Sequence, residues 1–277
     1  MICSTLCPAK INLFLAVDPP DHSGYHPIRS LFQSISLADQ ISVGDSPTGE
    51  DLIECNWPGL PANNTLTKAL RLVRELVPVA PLHITLDKQI PNEAGLGGGS
   101  SDAAGLLRCL MRVMPHMVSA HFAREVAFAV GADVPYFLVG GFAKVEGYGE
   151  IVTPNEDLGE DSLLVVKPGI GMPTGEAYRK LDAAPRPQKG FPDNWQDLYN
   201  DFERVAPCEC GDIAERLLAN GAKVASLTGS GTAVFGIFPD GVAAQRAKLL
   251  LEQERLGEIF SARFLSRKES LCTTLSS

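Results

Sequence analysis

Two rhythms of apolar and polar residues divide this chain. Runs that are apolar throughout, or at every second position, predict strands: "INLFLAV", then "SISLADQISV", then "LHITLDKQI", where Leu82, Ile84 and Leu86 alternate with polar neighbours. A helical rhythm takes over in "TLTKALRLVRELV", which sets Leu66, Leu70, Val73 and Val77 on one face, with Asn63 and Asn64 available as N-caps. "HFAREVAFAVG" repeats that rhythm and stops at Gly131. The later chain predicts strands at "LLVVKPG", "VASLTG", "TAVFGIF" and "EIFSARFL", short helices at "TGEAYRKL" and "GDIAERLLANG", and a long helix at "GVAAQRAKLLLEQERL". "DAAPRPQKGFPDN" reads as loop. Strands and helices thus mix without a strict βαβ alternation. The polar, acidic stretch "NEDLGEDS" after Pro154 is the best candidate boundary, giving domains 1–154 and 155–277.

Composition narrows the partners. With 45% hydrophobic and 21% charged residues among 277, the chain reads as an ordinary globular protein with ample core. A net charge of −9 argues against a general nucleic-acid or membrane-surface binder, because both partners are polyanions. Seven cysteines at irregular spacing form neither a disulfide framework nor a C-x-x-C pair, which predicts reduced thiols and a cytoplasmic protein. "CEC" at Cys208 to Cys210 is too tight for a zinc knuckle and reads as a loop leading into a helix. The longest apolar run, "VPYFLVGGFA", falls short of the ~18 residues of a membrane span. No basic segment precedes the apolar N-terminal run, so no export signal is expected.

The chemistry concentrates in "PNEAGLGGGSSDAAGLLRCL", which follows a strand and opens the apolar helix Ala103 to Met111. Glycines bring a backbone close to a ligand and aim N–H groups at it, while a helix start adds roughly half a positive charge, a combination suited to phosphate. A tight strand-to-helix turn with no ligand explains the same glycines. A dinucleotide fingerprint lacks its acid ~20 residues on, and no Gly-Lys-Ser/Thr closes a P-loop. A phosphate bound here therefore needs its cation from elsewhere. Lys10, in "CPAKINLFL", is an ammonium beside a buried strand and needs an anion, unless it snorkels to water. Asp133, in "AVGADVPYFLVGG", poses the reverse problem, unless it caps the following turn. Asp102 lies in the first helical turn, where a structural or metal-shell role fits better than a base.

Six segments, "PAKINLFL", "GYHPIRSLFQSISLAD", "PNEAGLGGGSSDAA", "GADVPYFL", "KPGIGMPT" and "LTGSGTAVFGIF", resemble in that order the GHMP kinases, which include galactokinase, homoserine kinase, mevalonate kinase and phosphomevalonate kinase. The resemblance runs from about Leu6 to Phe238. The doubled glycine before Ser100 favours the 4-diphosphocytidyl-2-C-methyl-D-erythritol kinases among them. Pro27, where an acid is usual, and Thr232, where serine is commoner, are departures.

The resemblance implies an α+β, two-domain fold: an N-terminal domain like the second domain of ribosomal protein S5 and a ferredoxin-like C-terminal domain, with substrates meeting between them. It implies ATP-dependent phosphorylation of the 2-hydroxyl of 4-diphosphocytidyl-2-C-methyl-D-erythritol (CDP-methylerythritol), in the non-mevalonate route to isoprenoid precursors. Asp133 would accept or orient the hydroxyl proton, and Lys10 would hold Asp133 ionised and steady the phosphoryl group. Backbone of Pro91, Ala94, Gly95, Leu96, Gly97, Gly98, Gly99, Ser100 and Ser101 would cradle the triphosphate, the two serines adding hydroxyls. Magnesium is expected with ATP; no protein ligand is assigned, Ser101 and Asp102 being candidates. Tyr25 and His26, with Tyr178 opposite, would hold the cytidine, and Asn12 the polyol or phosphate. "LTGSGTA", Leu227 to Ala233, would bring amides to the cleft floor. Two alternatives stay open: another GHMP kinase, such as homoserine or mevalonate kinase, which needs no Tyr25–His26–Tyr178 set, and a non-catalytic GHMP-like binding protein, which would have lost Lys10 or Asp133.

Overall fold

The structure, a computed structural model, describes residues 2–184, 187 and 189–276. The first half runs β1 (Ile2–Val17), β2 (Ile28–Asp45), β3 (Leu52–Cys55), α1 (Thr65–Leu76), β4 (Leu82–Asp87), α2 (Gly98–Val113), α3 (Ala120–Val130), the short α4 (Val134–Phe137), β5 (Phe142–Gly147) and β6 (Ile151–Pro154). The second runs β7 (Ser162–Lys167), α5 (Thr174–Asp182), β8 (Tyr199–Asn200), a 3-10 turn at 201–204, α6 (Cys208–Ala219), β9 (Val224–Leu227), β10 (Val234–Phe238), α7 (Gly241–Gln253), β11 (Glu258–Arg263), the short α8 (Arg267–Ser270) and β12 (Thr273–Ser276). Helix α1 starts where Asn64 closes a capping box with Thr67, and α3 stops at Gly131. Cys208 to Cys210 form the first turn of α6 and not a loop before it, because Pro207 pre-sets the backbone for a helix one residue ahead of Cys208. The loop expected over 182–194 gives its first residue to α5, and residues 185, 186 and 188 lie outside the described residues.

The architecture is α+β. An eight-stranded sheet places β12, β1, β2, β4 and β3 side by side; β5 pairs with the first part of β2 and carries β6, and β8 joins β1. A second sheet runs β11–β7–β10–β9, antiparallel throughout. Helices α1 to α3 cover one face of the first sheet through Leu66, Leu70, Val73, Leu106, Leu107, Leu110 and Val126, all buried. A second core unites Leu164, Val166, Ile213, Leu217, Phe238 and Leu251 under α6 and α7. A third lies between the sheets, where Ile11, Leu13 and Ile35 meet Leu163, Val165, Phe235 and Ile237.

Strand β1 enters all three cores, with Cys3 and Cys7 in the first, Ile11 and Leu13 in the third, Leu15 and Val17 in the second. Its pairing with β2 slips twice, between Pro8 and Ala9 and between Asn12 and Phe14. Such irregularities bend a strand and re-aim its side chains. The four residues from Ala9 to Asn12 are held between them, opposite Ile35, Ser34, Gln33 and Phe32.

Candidate active site

Lys10 projects from that segment and is 3% exposed. Its Nζ donates to Asn12 Oδ1 at 2.8 Å, lies 3.7 Å from Asp133 Oδ2 and stands 4.7 Å over the Phe32 ring. Burial pulls the Lys10 pKa below the usual lysine value, and Asp133 pulls it back up. Asp133 occupies the N-terminus of α4 but makes no side-chain cap bond, and its carboxylate is 30% exposed. Two ions distant in sequence are therefore each other's counter-charge, at the edge of water.

Glycine-rich turns close on this pair from two sides. Gly95 and Gly97 both take left-handed backbone, φ +76° and +75°, and Gly97 is the N-cap of α2. A Cβ on Gly95 would lie 2.2 Å from the Thr228 carbonyl oxygen, and one on Gly231 2.5 Å from the Gly95 nitrogen. The turns 94–97 and 228–231 thus pack backbone on backbone, which accounts for glycines in both. Asn12 ties the second turn to β1: its Oδ1 accepts from Gly229 N at 2.8 Å and Thr228 Oγ1 at 3.2 Å, while its Nδ2 donates to Ser30 Oγ at 2.9 Å. The Leu96 carbonyl accepts from Lys10 N at 3.0 Å, and Thr65 Oγ1 at the start of α1 donates to the Gly99 carbonyl at 2.5 Å. First-turn amides of α2 have no intrahelical acceptor and carry the positive end of the helix dipole.

The residues expected to cradle phosphate separate into two groups. Gly95, Gly97 and Ser100 line a cleft of about 380 Å³ together with Lys10, Asn12, Asp133, Thr174, Tyr178, Gly229 and Ser230. Ala94 and Leu96 bury their side chains between the sheets and present only backbone. Cβ positions on Gly98 and Gly99 face Ile90 and Thr65, and Pro91 lines a neighbouring cavity of about 390 Å³ with Trp57, Lys88 and Asn92. Ser101 corrects the sequence reading. It is wholly buried, its hydroxyl donates to the Pro8 carbonyl at 2.8 Å, and its amide bonds the Gly97 carbonyl at 2.9 Å, so neither group is free for a ligand. Asp102, the other metal candidate, is buried on Lys88 Nζ at 2.7 Å. Among the described residues no three His, Cys, Asp or Glu side chains gather as a metal cage.

A larger cavity of about 860 Å³ opens beside the cleft and shares Ala132, Thr174 and Tyr178 with it. Its walls hold Tyr25, His26, Phe128, Tyr148, Arg179 and Asp182. Tyr25 is 69% exposed, its ring meeting the edge of Tyr148 6.1 Å away. His26 is fixed instead: Nδ1 lies 3.0 Å from the Asp18 carbonyl, Nε2 3.5 Å from Asp182, and its ring lies 4.8 Å from Tyr178 at 34°. Phe202 meets Tyr178 from another side at 5.0 Å. The structure therefore brings His26 and Tyr178 together as one stack, with Tyr25 outside it, where the sequence reading sets Tyr178 opposite the Tyr25–His26 pair. It also adds Tyr148 and Phe128, which that reading missed. Tyr148, an aromatic between glycines in "EGYGE", was the visible signal; Phe128, 49% exposed on α3, offered none beyond its place in an amphipathic helix.

Residues 64–141 match the N-terminal domain of the GHMP kinases and residues 204–254 the C-terminal domain. A 4-diphosphocytidyl-2-C-methyl-D-erythritol kinase of Anaeromyxobacter sp. (strain Fw109-5) is 37% identical over 92% of this chain and 88% of its own. The chain belongs to the GHMP kinases. A kinase of the same designation from Solibacter usitatus (strain Ellin6076) is 36% identical over 89% of this GHMP kinase and 84% of its own length. The crystal structure of a 4-(cytidine 5'-diphospho)-2C-methyl-D-erythritol kinase superposes with a TM-score of 0.78 at 31% identity, covering 94% of this chain and 98% of the other. Homoserine kinase from Cytophaga hutchinsonii superposes at 0.70 with 16% identity over 96% of each chain, a likeness of fold alone. Among the described residues no helix of this GHMP kinase is long and apolar enough to cross a membrane.

Proposed function

We propose that this GHMP kinase moves the γ-phosphoryl group of ATP onto the 2-hydroxyl of CDP-methylerythritol, a step toward isoprenoid precursors. The relatives described above support the substrate. One observation of this chain carries the reading: Lys10 and Asp133 meet at 3.7 Å where the cleft of the glycine turns joins the aromatic cavity. A phosphate chain seated on the turns and a base held in the cavity would bring their reacting ends to that pair. Homoserine and mevalonate carry no ring to place among Tyr25, His26, Tyr148 and Tyr178.

In this mechanism Asp133 orients the acceptor hydroxyl and takes its proton, and Lys10 keeps Asp133 ionised while stabilising charge on the transferring group. Both roles are positioning and electrostatics, the larger part of phosphoryl transfer. Asn12 holds Lys10 and the turn at 228–231 in one frame and, lining the cleft, would contact the polyol or phosphate. Magnesium would come with ATP and be held by phosphate oxygens and water, since Ser101 and Asp102 are engaged elsewhere. We divide the chain into an N-terminal unit, 1–154, and a C-terminal unit, 155–277, with β8 and β12 returning to the first sheet. Seven free cysteines suit the reducing cytoplasm. The deciding experiment is a coupled ADP-release assay with CDP-methylerythritol, homoserine and mevalonate in parallel. Turnover of the first alone is expected; turnover of another without the first would replace this reading.

A further inference from the structure

Beneath the phosphate turn lie two buried carboxyl groups and a half-buried lysine that the mechanism above does not use. Asp39, on β2, is wholly buried: Oδ1 accepts from the amides of Gln89 at 2.5 Å and Ile90 at 2.8 Å, and Oδ2 from Lys88 Nζ at 2.5 Å. That carboxylate has three donors and is well suited to be an anion. Asp102, on the first turns of α2, receives only Lys88 Nζ, on Oδ2, while its Oδ1 is buried without a partner. One lysine therefore serves two carboxylates. Among the described residues no second cation bonds either carboxylate: Cys7 on β1 is a buried thiol, and Arg108, further along α2, turns to the carbonyls of Phe137 and Leu6 and the Thr5 hydroxyl. Two buried anions would leave a net negative charge directly below a helix start that must attract phosphate, and would leave an ionised oxygen bare.

We propose that Asp102 is held as the neutral acid, its proton donated to Asp39, and that this keeps the block under the phosphate turn uncharged so that α2 presents a positive end to the nucleotide. Asp102 is on this view a positioning residue that never touches substrate. Burial, with Asp39 adding to it against the opposing pull of Lys88, moves its pKa up to about 7. A carboxyl raised in the fold favours the folded state at low pH and loses that advantage as pH climbs through the raised value. Ionisation above neutrality would add a negative charge behind the turn and weaken nucleotide binding.

The inference rests on the kinase reading, and its test separates the two. ADP binding by wild type and Asp102→Asn is measured by calorimetry from pH 6 to pH 8.5, with melting curves at each pH. Asn supplies the same hydrogen bond without a charge to gain. The ratio of wild-type to D102N dissociation constants should rise severalfold across the range, the ionisation of ADP itself cancelling in the ratio. The melting temperature of D102N should gain on wild type over the same interval. Parallel curves in both measurements would overturn the proposal. Should D102N fail to fold, infrared spectra of wild type decide: a protonated carboxyl band present at pH 6 and fading near pH 7 is expected, and its absence at pH 6 refutes the neutral acid. Absence of ADP binding at every pH would sink the kinase reading and leave the melting and infrared results to stand by themselves.

Discussion

The two halves of the candidate site are built from different materials. On the phosphate side the ligand-facing surface is backbone: Gly95, Gly97 and Gly229 line the cleft, and the turns that carry them leave no room for a Cβ at Gly95 or Gly231. On the base side it is side chain: Tyr25 is 69% exposed and the cavity is about 860 Å³. The first half was settled when the chain folded. The second keeps freedom that a ligand must remove, so its contribution belongs to binding more than to the chemical step.

Damage at the junction should be largest. Asp133→Asn keeps shape but removes the proton acceptor and should lower kcat by about 10²–10⁴-fold, with Lys10→Met costing a comparable factor. Because the two ions face each other, the double variant should be little worse than the poorer single one; additive losses in kcat would mean that they act separately.

Next comes the backbone side. Gly231→Val puts methyl groups where the Gly95 nitrogen already stands 2.5 Å from a Cβ, so it should destabilise the fold by about 1–3 kcal/mol, read from denaturant melts. An unchanged midpoint would show that the turns part easily. Side-chain losses on the base side should be gentler. Tyr25→Ala should raise KM for CDP-methylerythritol roughly tenfold and leave the melting temperature alone, with Phe restoring most of it. Tyr178→Ala should raise the same KM and also lower the melting temperature, because His26 and Phe202 pack on that ring. Equal melting curves for the two variants would erase the distinction drawn between these tyrosines.

The smallest effect runs in the opposite direction. Lys10 is buried at a cost that Asn12 and Asp133 only partly offset, so Lys10→Met should melt at or above wild type while losing activity. The sign of the pH dependence follows from the lowered lysine pKa: the unfolded chain holds this proton more tightly, so wild-type stability should gain on the Met variant as pH rises toward 10.5. A Met variant that melts lower at every pH would place Lys10 among the stabilising contacts.

The sequence carried the elements whose causes are local. Leu66, Leu70 and Val73 marked the buried face of α1, Asn64 its start, and the glycines before Ser100 the start of α2. It also carried the Lys10–Asp133 pairing, because a lysine and an aspartate in apolar surroundings each require a counter-ion. Features caused by distant segments were not legible. The slips at Pro8 and Asn12 depend on what β2 places opposite them, and the need for glycine at 95 depends on the Thr228 carbonyl. The stack of His26 on Tyr178 joins residues far apart in the chain, and Ser101 gave no sign that its hydroxyl would turn to Pro8. The meeting of Asp102 with Lys88 and Asp39 was invisible for the same reason: Asp39 ends "GYHPIRSLFQSISLAD", yet nothing local to it or to Lys88 announces the shared partner.

Strand β1 has a consequence in time. Its ladder with β2 can form early, but Thr5 Oγ1 donates to the Cys272 carbonyl, 267 positions away, and the Asn12 amide to the Thr228 hydroxyl, 216 positions away. Contacts so remote make folding slow, because the intervening chain must be gathered before they return any energy. During synthesis the segment bearing Lys10 waits with its outer edge unpaired and its apolar face uncovered, a state prone to wrong partners. The lysine that would serve the reaction thus reaches its final surroundings only after the turn at 228–231 has been made, and a chain released before that turn would carry the strand bearing Lys10 in an unfinished sheet.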